Sequence, residues 1–475
     1  MCIRDRSSTA EYSSKAAESI KDLKPNAADV LITSMVTSMV TDLGVIAPTS
    51  SGLLTFYDGK TNQSHTVDGY FVSPKNFKGN DHEEHRVVLT YGGYIETCKG
   101  ANTFAIPGIY KILDFLYKNY ASLPLSKLLE FPINIAKKGF KLTQPTKDYF
   151  QHSLKQMFMW HDYSRIILQN ISQDLENGIV KLNKLSDSLE HLSNEGFNDF
   201  YIGDISKEIL KTIENEGGHA TSEDFENYKL IEDNKFNFKY KNLILTGHSG
   251  PSIGGLMVLN YIDELSTDNN IEALIDVYKN RKENYEFFGD RQSLIKQEII
   301  NLTKSSSTIQ VNSSDEMNNH FSITFSSGYG SGVLCQNTGM YFNNSLGEIE
   351  LNPQGFLGDT KGDRLISNMS PLIIQSKNGI TTIGSPGADR ISSAIAQVLI
   401  NYSKNNNWRQ AIDEPRFHVN GDGSVRAEPG SIETSKDITI TDKYDMYFGG
   451  VCVSGLNKDV FSFGDKRRGD TSWIS

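Results

Sequence analysis

Four short stretches hold residue types that could do chemistry. In Gly247-His248-Ser249-Gly250-Pro251 a serine sits as it would on the sharp strand-to-helix turn of a serine hydrolase, but Pro251 stands where the last glycine of G-x-S-x-G is needed. That elbow is set aside. Gly328-Tyr329-Gly330-Ser331-Gly332 lacks the Lys-Ser/Thr pair that grips phosphates and does not open a helix, so it reads as a turn and not a nucleotide loop. His82-Glu83-Glu84-His85 carries metal-capable side chains, yet none of the ten histidines has the H-x-x-x-H or H-E-x-x-H spacing of a metal site. Neither a metal nor an organic cofactor is expected. Lys304-Ser305-Ser306-Ser307-Thr308 concentrates hydroxyls and, taken alone, reads as a polar linker.

The elements around these stretches change character along the chain. Ser14–Leu53 predicts two packed helices, the second rich in small residues, and Leu53–Val72 alternates around Asp58-Gly59 as a hairpin does. Val87–Tyr94 reads as a strand. Helical periodicity then dominates to about residue 213 and returns after Pro251, with further helices expected over 271–282 and 290–303. Beyond residue 305 strands take over, at Ile309–Val311, His320–Ser326, Gly332–Cys335, Leu372–Gln375 and Ile380–Gly384, with one helix at Asp389–Tyr402.

Composition narrows the partners. With 47 Lys+Arg against 58 Asp+Glu, and no basic run longer than Lys466-Arg467-Arg468, there is no electrostatic footprint for nucleic acid. Apolar residues at 38%, including 24 Phe and 21 Tyr, are enough for a sizeable core. The four scattered cysteines suit core thiols, not disulfides or zinc. Val30–Ile46 is interrupted by Thr33, Ser34, Thr37, Ser38, Thr41 and Asp42, which predicts a buried helix instead of a membrane span. No basic segment followed by an apolar one opens the chain, and Met1–Arg6 reads as unlike a natural start, so an incomplete N-terminus is expected.

Several motifs follow one another in a telling order. Asn26-Ala27-Ala28-Asp29 and Ala47-Pro48-Thr49-Ser50-Ser51-Gly52 precede Gly100-Ala101, Pro107-Gly108, Phe200-Tyr201-Ile202-Gly203, Gly217-Gly218-His219-Ala220-Thr221 and Ser252-Ile253-Gly254-Gly255. Asn343-Asn344, Asn368-Met369-Ser370-Pro371, Gly384-Ser385-Pro386-Gly387, Pro415-Arg416-Phe417-His418 and Gly464-Asp465-Lys466-Arg467-Arg468-Gly469 come after them. In this order they resemble the gamma-glutamyltransferase (glutathione hydrolase) family of N-terminal-nucleophile hydrolases along nearly the whole chain.

The resemblance implies an α/β fold, a four-layer α-β-β-α sandwich. It also implies a precursor that cuts itself between Ser307 and Thr308 into a helix-rich region 1–307 and a strand-rich region 308–475, intertwined in one body. Thr308 would be the nucleophile. A threonine hydroxyl is weak at neutral pH, and the amine freed by the cut, with a pKa of about 7.7–8.0, would serve as its base. Ser326, 18 residues on, falls where the family places a second hydroxyl. The resemblance also assigns the oxyanion donors to the N–H groups of Gly387 and Ala388, the substrate-binding pair to Ser367 and Asn368, and the acid that holds the substrate amine to Glu348. Tyr70 stands where the family has its carboxylate-clamping arginine, and Gln310 where it has a motif histidine. The implied partners are a small γ-glutamyl or related acyl amide and the two fragments of the chain itself, in a periplasmic or extracellular setting. An acylase acting on a different acyl amide, or an inactive homologue kept as a binding protein, is the alternative.

Overall fold

The computed structural model describes residues 4–79, 85–90, 95–267, 274, 275, 277, 308–348, 360–420, 423–432 and 438–474. The strands of two central sheets are, in chain order, β1 (Arg4–Ser8), β2 (Ser51–Asp58), β3 (Gln63–Gly69), β4 (Ile231–Glu232), β5 (Lys235–Tyr240) and β6 (Leu243–His248). They continue with β7 (Thr308–Asp315), β8 (His320–Ser326), β9 (Leu372–Ser376), β10 (Gly379–Gly384), β11 (Cys452–Leu456), β12 (Val460–Phe463) and β13 (Thr471–Ile474). One seven-stranded sheet runs β13-β1-β7-β8-β2-β3-β4, and a six-stranded sheet runs β12-β11-β10-β9-β6-β5. Neighbours in both are antiparallel. Each sheet thus draws strands from both sides of residue 307.

The alternation of β7 and β8 decides which face goes where. Ile309, Val311, Phe321, Ile323 and Phe325 join the larger core, under the helix layer that contains α1 (Ser13–Ile20), α2 (Ala27–Thr41) and α3 (Ile109–Asn119). Burying such side chains contributes about 1.5–3 kcal/mol each. The other face is polar, yet it is buried against the second sheet instead of meeting water. Its groups are paired across the gap: Ser322 Oγ donates to Ile383 O at 3.1 Å, Asn312 Nδ2 to Cys452 O at 2.9 Å, Thr55 Oγ1 to Pro371 O at 2.7 Å, and Ser454 Oγ to Ser314 Oγ at 2.7 Å. Hydrogen bonding of this kind is what makes a buried polar layer tolerable. Beyond the second sheet lie α4 (Gly254–Thr267) and α5 (Arg390–Asn405), which share a second core with it. The order of layers is helix, sheet, sheet, helix.

Helix α2 is buried along its whole length. Asn26 caps it, its side chain accepting from Asp29 N while Asp29 accepts from Asn26 N. Two of the hydroxyls that interrupt its apolar run turn back onto the helix, Thr37 Oγ1 to Thr33 O at 2.7 Å and Ser38 Oγ to Ser34 O at 2.9 Å. Among the described residues no helix is long and apolar enough to cross a membrane.

Several local expectations differ. The Asp58-Gly59 hairpin forms, but the positive φ falls on Asn62 at 55°, and Gly59 is required because a Cβ there would lie 2.0 Å from Met317 O. Gly332–Cys335 is not a strand; it makes one isolated bridge, Leu334 to Tyr341. The strand expected at Val87–Tyr94 spans Arg86–Leu89 and pairs with Ile95–Cys98. The helices expected over 271–282 and 290–303 lie essentially outside the described residues, as do Ser307 and His82-Glu83-Glu84. Cys98, Cys335 and Cys452 are buried.

Candidate active site

Thr308 opens β7 and Ser326 closes β8, and the register sets them directly opposite one another. Both are on the strand face turned to the second sheet. They line a small cavity of about 20 Å³, room for about one water molecule. Tyr70, Glu348, Ser367, Asn368 and Ala388 line the same cavity. Residues separated by more than three hundred positions in the chain therefore converge on one cavity. Gly387 adjoins them through Ala388. Tyr329, Met369 and Ile391 complete the lining and were not anticipated. The only sequence signal for Tyr329 was the glycine-rich run that contains it.

Several lining residues are held by identifiable contacts. The carbonyl of Ser367 accepts from Ile253 N at 2.9 Å and Gly254 N at 3.2 Å. The Ser252-Ile253-Gly254-Gly255 turn before α4 thus fixes the Ser367-Asn368 backbone. Gly254 has no alternative there, since a Cβ would lie 2.1 Å from Asn368 O. Gly328 lies against Glu348 in the same way: a Cβ would come within 2.7 Å of Glu348 Oε1. Asn344 Oδ1 accepts from Tyr329 N at 2.6 Å, and Asn343 bridges Thr49 O and Ala105 O. The two asparagines brace the site from behind.

Gly387 and Ala388 sit immediately before α5, whose N-terminus carries the positive end of the helix dipole. Neither N–H donates a hydrogen bond among the described residues. Backbone N–H groups left without an acceptor at the head of a helix are the kind of donor that can stabilise a developing oxyanion. Ala388 has φ of 51°, a left-handed conformation that costs an L-residue about 1–2 kcal/mol. Its chain position demands the geometry glycine supplies.

Tyr70 is buried, with its N–H donating to Asp68 Oδ1 at 2.8 Å and its carbonyl accepting from Tyr228 Oη at 2.6 Å and from Arg364 Nη1. Burial drives the phenol pKa well up, the Glu348 carboxylate adds to this, and the hydroxyls of Ser367 and Ser345 oppose it. It is a neutral phenol at any working pH.

The family model described as gamma-glutamyltranspeptidase matches residues 13–278 and 263–441 of this chain. The chain belongs to the gamma-glutamyltranspeptidase family. It is 25% identical over 370 residues to the glutathione hydrolase proenzyme of Escherichia coli (strain K12), a match that covers 66% of this chain and 63% of that relative's length. It is 24% identical over 496 residues to scoloptoxin SSD14 of Scolopendra dehaani, covering 88% of this chain and 82% of the relative. Among solved structures, a cephalosporin acylase from Bacillus halodurans has the same fold, with a TM-score of 0.78 at 17% identity over 100% of this chain and 96% of that one.

Two features of this chain stand out against the motifs read in its sequence. Gln310 lies in the polar layer between the sheets and not in the cavity lining. Its Nε2 donates to Asn312 Oδ1 at 2.8 Å and Ser322 Oγ at 3.0 Å, and its Oε1 accepts from Thr324. The Pro415–His418 and Gly464–Gly469 motifs meet in a buried ion network. Arg416 pairs with Asp465 at 2.8 Å, Asp465 with Arg467 at 3.2 Å, and Arg467 with Glu428. Their place is behind the Gly387-Ala388 loop, with no part in the cavity itself.

Proposed function

We propose that this chain is a self-processing amidohydrolase or acyltransferase that forms an acyl-ester on Thr308. The observation that carries this reading is the pairing of Thr308 with Ser326 in one cavity that Ala388 also lines, with the Gly387 and Ala388 N–H groups making no hydrogen bond among the described residues.

In the first reaction Thr308 Oγ attacks the carbonyl of Ser307. The oxyanion is held by Gly387 N–H and Ala388 N–H, the C–N bond breaks as the hydroxyl proton passes to the departing nitrogen, which becomes the α-amine of Thr308, and an ester joins residue 307 to the threonine oxygen. Water then hydrolyses the ester, which leaves a carboxylate on Ser307 and restores the hydroxyl of Thr308. A cavity that admits one water suits this step. In the second reaction the new amine takes the proton from its own hydroxyl, Oγ attacks the amide carbonyl of a substrate, and the amine product leaves with a proton. Water or a second amine takes the acyl group from Thr308. Oxyanion donors of this kind contribute about 3–4 kcal/mol each.

γ-Glutamyl amides such as glutathione are the substrate class suggested by the names of the curated relatives. A different acyl amide is the second reading, favoured by Tyr70 in place of a guanidinium. Denaturing electrophoresis with N-terminal sequencing tests the reading. A new terminus Thr-Ile-Gln-Val is expected, with Thr308→Ala remaining intact. A parent chain that stays uncut on long incubation, or a Thr308→Ala chain that is still cut at the same bond, defeats it.

A further inference from the structure

We propose that this chain carries a carbohydrate-binding site at the end of α5 far from Thr308, built to hold one or two sugar rings of an oligosaccharide. Gly387 and Ala388 stand at the head of α5, and its 16 residues span about 24 Å. The site therefore lies outside the reacting cavity and does not depend on the reading of Thr308 as the nucleophile.

The local sequence builds this second cavity. Asn406 ends α5 in a left-handed conformation, φ 53°, with its N–H donating to Tyr402 O at 2.8 Å. The chain turns there so that Asn407 caps the next helix, Trp408–Asp413, its Oδ1 accepting from Gln410 N at 3.0 Å. Trp408 then folds back on Tyr402, the two rings nearly parallel with centroids 3.6 Å apart. The turn between β9 and β10 and the turn between β11 and β12 line the rest. Gly379 is needed where these turns meet, since a Cβ there would collide with Leu456 O. Together they form a cavity of about 250 Å³, more than ten times the volume of about 20 Å³ beside Thr308. That is just under the range of about 300–1,000 Å³ for pockets that take drug-sized ligands, and it suits a ligand of one or two rings.

Its lining pairs aromatic rings with amides. Tyr402, Trp408, Phe461 and Phe463 give flat apolar surfaces of the kind on which the C–H faces of a pyranose pack. Asn378, Asn406 and Asn457 also line it; they are exposed, and their side chains make no hydrogen bond among the described residues. Each amide offers both donors and an acceptor, and a sugar hydroxyl, which also donates and accepts, answers both. Trp408 and Tyr402 are each 7% exposed, yet neither the indole Nε1 nor the phenol Oη makes a hydrogen bond among the described residues. Rings of these types usually spend that polar end on a partner when buried. An ion would use the amides and leave the four rings idle, and a hydrocarbon would do the reverse. A ring that carries hydroxyls at its edge and C–H groups on its face uses both.

Isothermal titration calorimetry on the purified full chain tests this with maltotetraose, cellotetraose and the N-acetylglucosamine tetramer, and with tetra-alanine as a peptide control. At least one of the sugars is expected to bind saturably, at about 1 mM or tighter, and tetra-alanine not at all. The double variant Asn378→Ala with Asn457→Ala removes two amides that hold nothing else among the described residues. Its urea unfolding should match the parent while its affinity for the sugar falls about tenfold. Trp408→Phe, which keeps a ring and loses the indole N–H, should weaken the sugar as well. Thr308→Ala should bind it as the parent does, so a failure of the nucleophile reading leaves this result intact. Absence of saturable binding by all three sugars, tetra-alanine binding as tightly as they do, or parent affinity in the double variant overturns the proposal.

Discussion

Arg416 Nη1 donates to the carbonyl of Phe448 at 3.1 Å, and through that bond a fully buried ion network reaches the loop bearing Gly387 and Ala388. Two residues further on, Gly450 N donates to Ser385 Oγ at 3.1 Å, and Gly449 packs so closely that a Cβ would lie 2.8 Å from Pro386 O. Asp465 completes the brace by accepting from Val451 N at 2.9 Å. The loop's shape is therefore set by charges that never touch the cavity.

Removing one partner of such a buried network is costly because it strands the others. Arg416→Met should lower unfolding stability by about 3–5 kcal/mol, read from urea denaturation. A loss under about 1 kcal/mol would show that Arg467 alone neutralises Asp465.

Ala388 makes an opposite prediction. Its left-handed φ costs about 1–2 kcal/mol, and glycine would remove that cost while adding about 0.4–1 kcal/mol of unfolded-chain entropy. Ala388→Gly should therefore raise stability by up to about 1.6 kcal/mol and keep the N–H donor. Ala388→Val, with a β-branched side chain at the same φ, should destabilise. Equal melting temperatures for the three chains would contradict the strain.

The outcome for Ala388 marks where sequence reading succeeds and where it stops. The alternation in β7 and β8, and the 18-residue spacing of Thr308 and Ser326, were legible because a hairpin converts spacing into register. What alternation could not say is that the polar face would be buried too. Residues such as Gln310, Asn312 and Ser322 look solvent-facing until a second sheet supplies their partners. The strand Arg4–Ser8 escaped detection for the same reason: RDRSS contains no apolar residue, and its place between β13 and β7 is set by backbone pairing and by contacts such as Asn312 Nδ2 to Ser7 Oγ at 3.3 Å. The Arg416–Asp465–Arg467–Glu428 network joins segments dozens of residues apart, and no local pattern announces it.

Two buried histidines give the protein an acid-sensitive middle. Burial pushes His248 down to about 4, opposed only by the backbone of Leu54, and His320 down to about 3. Their folded pKa values lie below the ordinary 6.5, so the unfolded chain binds protons that the folded chain refuses. Stability is present above pH 6.5 and falls as pH drops from there toward the folded values, by about 1.4 kcal/mol per unit for each histidine. Asp42 acts in the other direction, since burial raises its carboxyl to about 7 and that stabilising contribution grows as pH falls. The readout is accordingly a difference: urea unfolding of parent and His320→Gln at pH 7, 6 and 5. The gap between them should shift in the variant's favour by about 1 kcal/mol per unit below 6.5. A gap independent of pH would mean that His320 already titrates normally.

Ser326 supplies the most direct test of the strand pair. Its Oγ accepts from Gly328 N at 3.0 Å, which fixes the oxygen at the end of β8 opposite Thr308. Removing that oxygen takes away one neutral hydrogen-bonding group, worth about 0.5–1.5 kcal/mol. Since about 1.4 kcal/mol corresponds to tenfold in rate, Ser326→Ala should slow fragment formation by up to about tenfold without abolishing it. Ser326→Thr, which keeps the hydroxyl, should lie between the two. The measurement is the time course of the cut chain on denaturing gels, with urea unfolding run alongside to separate rate from stability. Complete loss of cutting in a stably folded Ser326→Ala chain would give this serine the primary role now assigned to Thr308, and an unchanged rate would reduce it to a turn-former.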